Sequence, residues 1–204
     1  MPGPTTITIV NVGYRSTNFW VVSTGTSRLL VDLGYPNTMG TMRANLDRMG
    51  VPLKEIRYGV ATHYHYDHAG LAQDFKQLGV PLIVLTPQVA AIPLMKPYMK
   101  PTDHYTEITT HDNVTIDFAE SRALLLRIGI AGEIVPTPGH SDDSVSLVLD
   151  DGSAFTGDLT APALIGDEER SVTTASWRLL QSRGVTRVYP GHGPIHTMDW
   201  AALG

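Results

Sequence analysis

The chain has 204 residues, 42% of them apolar, which suits one domain with a real core or two small fused halves. Fifteen basic against twenty acidic side chains leave a net charge of −5 with no basic run, which argues against nucleic acid as a partner. Cysteine is absent, so disulfides, thiolate nucleophiles, Cys-ligated zinc and iron–sulfur clusters are excluded, and a reducing, cytoplasmic setting is expected. Met1-Pro2-Gly3-Pro4-Thr5 shows no secretory pattern, and no apolar run approaches the ~20 residues of a membrane span.

Thr6–Val12 alternates with period two and is β-branched, a strand. Asn18–Thr24 is a second strand. After the turn Gly25-Thr26-Ser27, Arg28–Asp32 completes an antiparallel meander. Met39, Met42, Leu46 and Met49 recur at helical spacing as core positions, and Gly50 ends that helix. Ile56–Ala61 is the next strand. Leu71, Phe75 and Leu78 mark a helix stopped by Gly79, and Val80–Leu85 reads as a strand. A short helical piece follows from Pro87. Between Ile92 and Pro101, three prolines argue against regular structure, while the apolar side chains suggest a lid or pocket wall over residues 92–105. Val114–Phe118 alternates again. Glu120–Arg127 is helical with Leu124 to Leu126 inward, and Gly132–Thr137 is a strand. Val145–Leu149 and Ser153–Thr156 form a hairpin about Asp150-Asp151-Gly152. Ser171–Arg183 is helical, and Thr186–Tyr189 is the last strand expected.

The strand Ile56–Ala61 delivers Thr62-His63-Tyr64-His65-Tyr66-Asp67-His68, three histidines and an aspartate within six residues. Side chains at i and i+2 of an extended segment point the same way, so His63 and His65 can reach one metal ion. A turn after them would swing Asp67 and His68 towards a second position. Catalytic zinc needs about three protein ligands and an open position, so distant residues should complete the set. His140, Asp158 and His192 each follow a predicted strand, and His140 and His192 share the local form Pro-Gly-His. The glycine there allows a sharp turn and close backbone approach. His104, His111 and His196 read as surface or supporting residues.

The two parts of the chain, roughly 1–118 and 119–204, have the same order of elements. A hairpin ends at Asp32-Leu33 or at Asp158-Leu159, then a helix and a strand lead to His63 or His192, 31 and 34 positions on. Two such units would pack their sheets face to face with helices outside, bringing the ligands to one edge.

These motifs resemble the metallo-β-lactamase-fold hydrolases: H-x-H-x-D-H at His63 to His68, Thr137-Pro138-Gly139-His140, Thr156-Gly157-Asp158 and Gly191-His192-Gly193. The resemblance covers nearly the whole chain and implies a single α/β domain, an αββα four-layer sandwich with two β-sheets flanked by helices. It implies a dinuclear site of two divalent metal ions, with zinc expected and iron or manganese as alternatives. His63, His65 and His140 would bind the first ion, Asp67, His68 and His192 the second, and Asp158 would bridge them. Asp32 would orient a ligand histidine through its other nitrogen. Paired ions can activate a water at neutral pH, and Asp67 would accept its proton.

Departures from subfamilies narrow the expectation. The absence of Cys and the presence of Asp158 make β-lactam hydrolysis incidental. The acidic Ile165-Gly166-Asp167-Glu168-Glu169 and the twelve residues after His192 disfavour a glutathione-thioester hydrolase. The arms of tRNA-processing relatives are absent. Lactonases keep the seven ligands and a tyrosine near the metals, for which Tyr64, Tyr66, Tyr98 and Tyr105 are candidates. Ser141-Asp142-Asp143 reads as a solvated turn, or alternatively as a carboxylate pair at the pocket rim. The first expectation is hydrolysis of an ester, thioester or lactone carbonyl of a small-molecule substrate. The alternatives are phosphoester hydrolysis and a di-iron redox or sensor protein.

Overall fold

The computed structural model describes residues 6–25, 27–166 and 170–203. Thr26 of the first turn and residues 167–169 of the acidic run lie outside the described residues.

The first sheet has six strands in the order β1 (Ile7–Asn11), β2 (Trp20–Thr24), β3 (Ser27–Val31), β4 (Ile56–Val60), β5 (Leu82–Leu85) and β6 (Val114–Ile116). The meander β1–β3 is antiparallel, and β4, β5 and β6 then run parallel to β3. Helix α1 (Met39–Arg48) connects β3 to β4, and α2 (Tyr66–Ala69) and α3 (Ala72–Gln77) connect β4 to β5. After α4 (Phe118–Arg127) the second sheet comprises β7 (Gly132–Pro136), β8 (Val145–Leu149), β9 (Ser153–Gly157), β10 (Arg187–Pro190) and β11 (His196–Thr197), in the order 11-10-9-8-7. Helix α5 (Arg170–Ser182) carries the chain from β9 to β10, which pair in parallel.

Strand periodicity sorts the core into layers. Val22, Leu29, Val31, Ile134, Leu147 and Phe155 fill the space between the sheets. Their neighbours Val21 and Leu30 turn to the opposite face of the first sheet, where α1 and α3 contribute Met42, Leu46 and Phe75. Val135, Val148 and Ala154 turn to the opposite face of the second, against Trp177 and Leu180 of α5. Two mixed sheets with helices on their outer faces give the expected αββα arrangement.

Several local expectations are corrected. Helix α4 begins at Phe118, where Asp117 caps it and Glu120 accepts the Asp117 N–H at 2.8 Å. Leu124 and Leu125 point inward, but Leu126 is 54% exposed, because successive helical residues turn by about 100° and three cannot share one face. Met42 and Leu46 are buried in α1, whereas Met49, at the helix end, is 39% exposed. The proline-rich run is regular: Ile92–Tyr98 forms 3₁₀ turns, with Pro93 in the first turn, where its missing N–H costs nothing. A two-residue strand, β11, follows β10.

Phe155 is fully buried between the sheets and stacks on Tyr189 at 4.8 Å. Phe155→Ala should lower unfolding free energy by about 3–5 kcal/mol, measured by denaturant titration.

Candidate metal centre

Asp32, His63, His140, Asp158 and His192 all lie beyond the carboxyl ends of strands: β3, β4, β7, β9 and β10. β3 and β4 run parallel, as do β9 and β10, so within each sheet these loops emerge at one end.

His63 and His65 point together as the period-two argument requires, with His63 Nε2 3.1 Å from His65 Nδ1. His140 Nε2 lies 3.0 Å from that same Nδ1. Residues 66–69 then wind into α2, which turns Asp67 and His68 away from the extended run. His192 Nε2 stands 3.3 Å from Asp67 Oδ2 and 3.4 Å from Asp158 Oδ2. His68 Nε2 stands 3.2 Å from Asp158 Oδ1 and 3.6 Å from Asp67 Oδ2. Asp158 Oδ2 is also 3.9 Å from His63 Nε2 and 3.7 Å from His140 Nε2. Three trios can each offer converging ligand atoms within 4.8 Å of one another: His63, His65 and His140; His63, His68 and Asp158; Asp67, His68 and His192. All seven residues singled out from the sequence therefore meet, with Asp158 between the outer two groups.

The surroundings set the histidine tautomers. His68 Nδ1 donates to the buried Asp32 carboxylate at 2.9 Å. His192 Nδ1 donates to the Ser16 carbonyl at 2.7 Å. His63 Nδ1 reaches Thr62 Oγ1 at 3.1 Å, and that hydroxyl donates on to Asp32 at 2.9 Å. In each case Nε2 faces the cluster, where its lone pair becomes available to a cation. Burial and the neighbouring rings of His68, His65 and His140 hold His63 well below the usual imidazole pKa, and burial with His140 lowers His65. Both rings are thus neutral donors. Burial works against a charged His68, but Asp32 and Asp158 outweigh it and raise its pKa well above normal. Burial likewise opposes the Asp158 carboxylate, yet His68, His192 and His140 draw its pKa down. His68 Nε2 and Asp158 Oδ1 are buried and close, but neither has a hydrogen bond of acceptable geometry. Two such atoms facing one point fit a cation better than they fit each other.

Some supporting residues carried no sequence signal. Thr17, buried, donates to Asp67 Oδ2 at 3.1 Å and contacts the Tyr35 hydroxyl at 2.6 Å. Asn18 donates to the carbonyls of Pro190 and Gly193, and Trp20 also donates to Pro190. The buried Gln88 donates to the carbonyls of Ala61 and Asp143. Asp143 is not part of a merely solvated turn: its carboxylate accepts the Tyr64 N–H at 2.8 Å and so holds the His63–His65 segment. His104 and His111 are exposed outside the cluster, while His196 lines a small cavity with His140 and His192.

Similarity to known proteins agrees with this geometry. The profile of the metallo-beta-lactamase superfamily matches residues 12–195. An atrochrysone carboxyl ACP thioesterase of Aspergillus novofumigatus is 29% identical over 189 residues, 90% of this chain and 51% of that protein. A probable metallo-hydrolase of Methanocaldococcus jannaschii is 25% identical over 201 residues, 90% of each chain. Against five of the curated relatives it matches, the chain spans 50–59% of their length. The BLEG-1 B3 metallo-beta-lactamase superposes with a TM-score of 0.69 at 21% identity, covering 94% of each chain, a likeness of fold.

A methyl group on Gly191 would stand 2.5 Å from Asp158 Oδ1 and 2.7 Å from His68 Cε1, so only glycine lets this backbone approach the cluster. Gly191→Ala should leave the far-ultraviolet circular dichroism unchanged while divalent-metal uptake, read by elemental analysis, falls below that of the parent. The convergence of seven imidazole and carboxylate groups at the sheet ends, with a family match over most of the sequence, places this chain in the metallo-beta-lactamase superfamily.

Proposed function

We propose that the chain is a metal-dependent hydrolase acting on an ester, thioester or lactone carbonyl of a small molecule. The observation that carries this reading is the pair of buried, unbonded ligand atoms, His68 Nε2 and Asp158 Oδ1, at the centre of a cluster otherwise built of oriented imidazoles. His63, His65 and His140 would hold one divalent ion and Asp67, His68 and His192 a second, with Asp158 shared between them. The imidazole-rich donor set favours zinc, and iron or manganese would fit the same ligands. When bound, such a pair supplies Lewis acidity to a substrate oxygen and acidifies water towards neutral pH.

The chain's own groups supply the rest. Asp67 takes the proton of the attacking water, and Thr17 holds the carboxylate in place through Oδ2. The Ser16 carbonyl and the Asp32 carboxylate keep His192 and His68 in the tautomers that face the cluster. The thioesterase among the named relatives supports carbonyl hydrolysis, and the probable metallo-hydrolase supports a metal-dependent hydrolase. No helix among the described residues is long and apolar enough to cross a membrane, and a cysteine-free chain suits the cytoplasm.

Zinc-reconstituted protein should hydrolyse a lactone, thioester or carboxylester probe faster than a phosphodiester. Turnover of the phosphodiester alone, or oxygen reduction by the iron-loaded form, would overturn the assignment. Asp158→Ala should lose one metal equivalent and about 10²-fold or more in kcat/KM. His104→Ala, at an exposed position outside the cluster, should keep full metal content.

Asp32 and Asp158 raise the pKa of His68 and so favour its protonated ring in metal-free protein, and metal binding at Nε2 must expel that proton. Below the folded pKa, affinity for the second ion should therefore rise with pH, about tenfold per unit for one proton released. Calorimetric titration of zinc in buffers of different ionisation enthalpy reads the proton directly. A titration without proton release would contradict the His68 assignment.

A further inference from the structure

Two concavities lie side by side, and the larger opens at the cluster. A groove of about 960 Å³ starts at His65 and is walled by Tyr66, Leu94, Met95, Tyr98 and Met99. Leu94 and Tyr98 are 64% and 81% exposed, so large apolar surface faces water in this wall. Met95 is buried and anchors the wall, while methionine side chains can adapt to varied apolar shapes. A second cavity of about 470 Å³ shares Tyr66 and Tyr98 with the groove and is lined by Arg15, Lys100 and Asp103. The Arg15 guanidinium lies over the Tyr35 ring at 4.6 Å. Among the described residues, neither Arg15 nor Lys100 has a salt-bridge partner. Asp103 accepts the Lys100 backbone N–H at 2.7 Å, so one engaged carboxylate faces two free cations.

Arg15 is also tied to the cluster. The next residues in the chain, Ser16 and Thr17, bond to His192 and Asp67, and Tyr35 links Thr17 to the ring under the guanidinium. The cationic cavity is therefore built into the frame that holds the ligands.

We propose that groove and cavity form one bipartite substrate site. It takes an ester or thioester whose bulky apolar acyl body lies against Leu94, Tyr98 and Met99 and whose far end carries an anionic group, carboxylate or phosphate, held by Arg15 and Lys100. The proposal rests on the hydrolase reading above for its reacting carbonyl. Arg15 and Lys100 act on binding, not on the bond that breaks.

The test compares p-nitrophenyl acetate, p-nitrophenyl octanoate and the mono-p-nitrophenyl ester of suberic acid on zinc-reconstituted protein. Octanoate and suberate chains match in length and differ in the terminal charge. KM should fall at least about tenfold from acetate to octanoate, from burial of the added methylenes. It should fall a further roughly five- to tenfold for the suberate ester. Arg15→Gln and Lys100→Gln should shrink the suberate-to-octanoate preference towards unity, whereas Leu94→Ser should weaken both long esters relative to acetate. A separate calorimetric arm titrates suberate and octanoate themselves, which need no turnover. Arg15-dependent suberate binding without hydrolysis of any ester would retain the bipartite site and refute the hydrolase reading. Hydrolysis of all three esters at similar KM, with no effect of Arg15→Gln, would refute the bipartite site and retain the hydrolase. Phosphate preference is read by inhibition with octyl phosphate against octyl sulfate and octanoate: competition by octyl phosphate that Lys100→Gln abolishes supports the anion end, and equal competition by 1-octanol overturns it.

Discussion

The buried carboxylate of Asp32 orders the centre. It accepts the Thr62 N–H at 2.7 Å, the Thr62 hydroxyl and the His68 Nδ1–H. Through Thr62 it also reaches His63. One residue at the end of β3 thus sets the ring orientation of a histidine from each proposed ion site. Its backbone is left-handed, with φ of 65°, which an aspartate tolerates better than most residues but still at a cost of order 1 kcal/mol. A buried charge of this kind persists only when it is fully paired, and here each bond it accepts also positions the β4–α2 turn. The strain and the burial are therefore both explained by the same task.

Equivalent ties join the two sheets around the cluster. Asn18 and Trp20 of the first sheet hold the Pro190–Gly193 turn, and the Ser16 carbonyl fixes His192. In the other direction Asp143 holds the His63–His65 segment, Val145 N–H donates to the Thr62 carbonyl, and Gln88 bonds both sides. The His63–His65 segment, the loop after His140 and the turn that carries His192 are each braced from the opposite half of the chain. Side chains so braced lose little further freedom on binding a cation, which is the physical content of a preorganised site.

The strands and the residues that cluster at their ends were legible because both follow short-range rules. Period-two alternation marks β1 and β6, and the same period brings His63 and His65 together. His140, Asp158 and His192 could be singled out because each follows a predicted strand. Asp32 had no local signal of its own and was visible only through family resemblance. Thr17, Asn18, Gln88 and Asp143 were invisible as supports, because short polar residues in loops gain their partners only when distant segments meet. Leu126 was misplaced because an apolar triplet does not state which of its members faces out. The Ile92–Pro101 run was misread because proline argues against α-helix and strand, yet is compatible with 3₁₀ turns.

That last segment separates what is constant in the site from what can vary. The cluster residues stand on strand ends or on the short turn and helix that follow β4, where a displacement would have to move a sheet or the braced α2 turn. The groove wall stands on 3₁₀ turns fastened to the core through Ile92 and Met95, with Leu94 and Tyr98 projecting outward between those anchors. Substituting an outward side chain there changes the surface offered to a substrate without unpacking the core, because the buried pair carries the packing. Exposed apolar groups of this size are tolerated on a protein that keeps a net charge of −5, and they are most easily explained by a bound apolar group that covers them in use. Under the proposed function, chemistry and selectivity would sit on different kinds of backbone, and a change in the wall would alter which carbonyl is presented while Asp32 and the seven cluster residues stay in place.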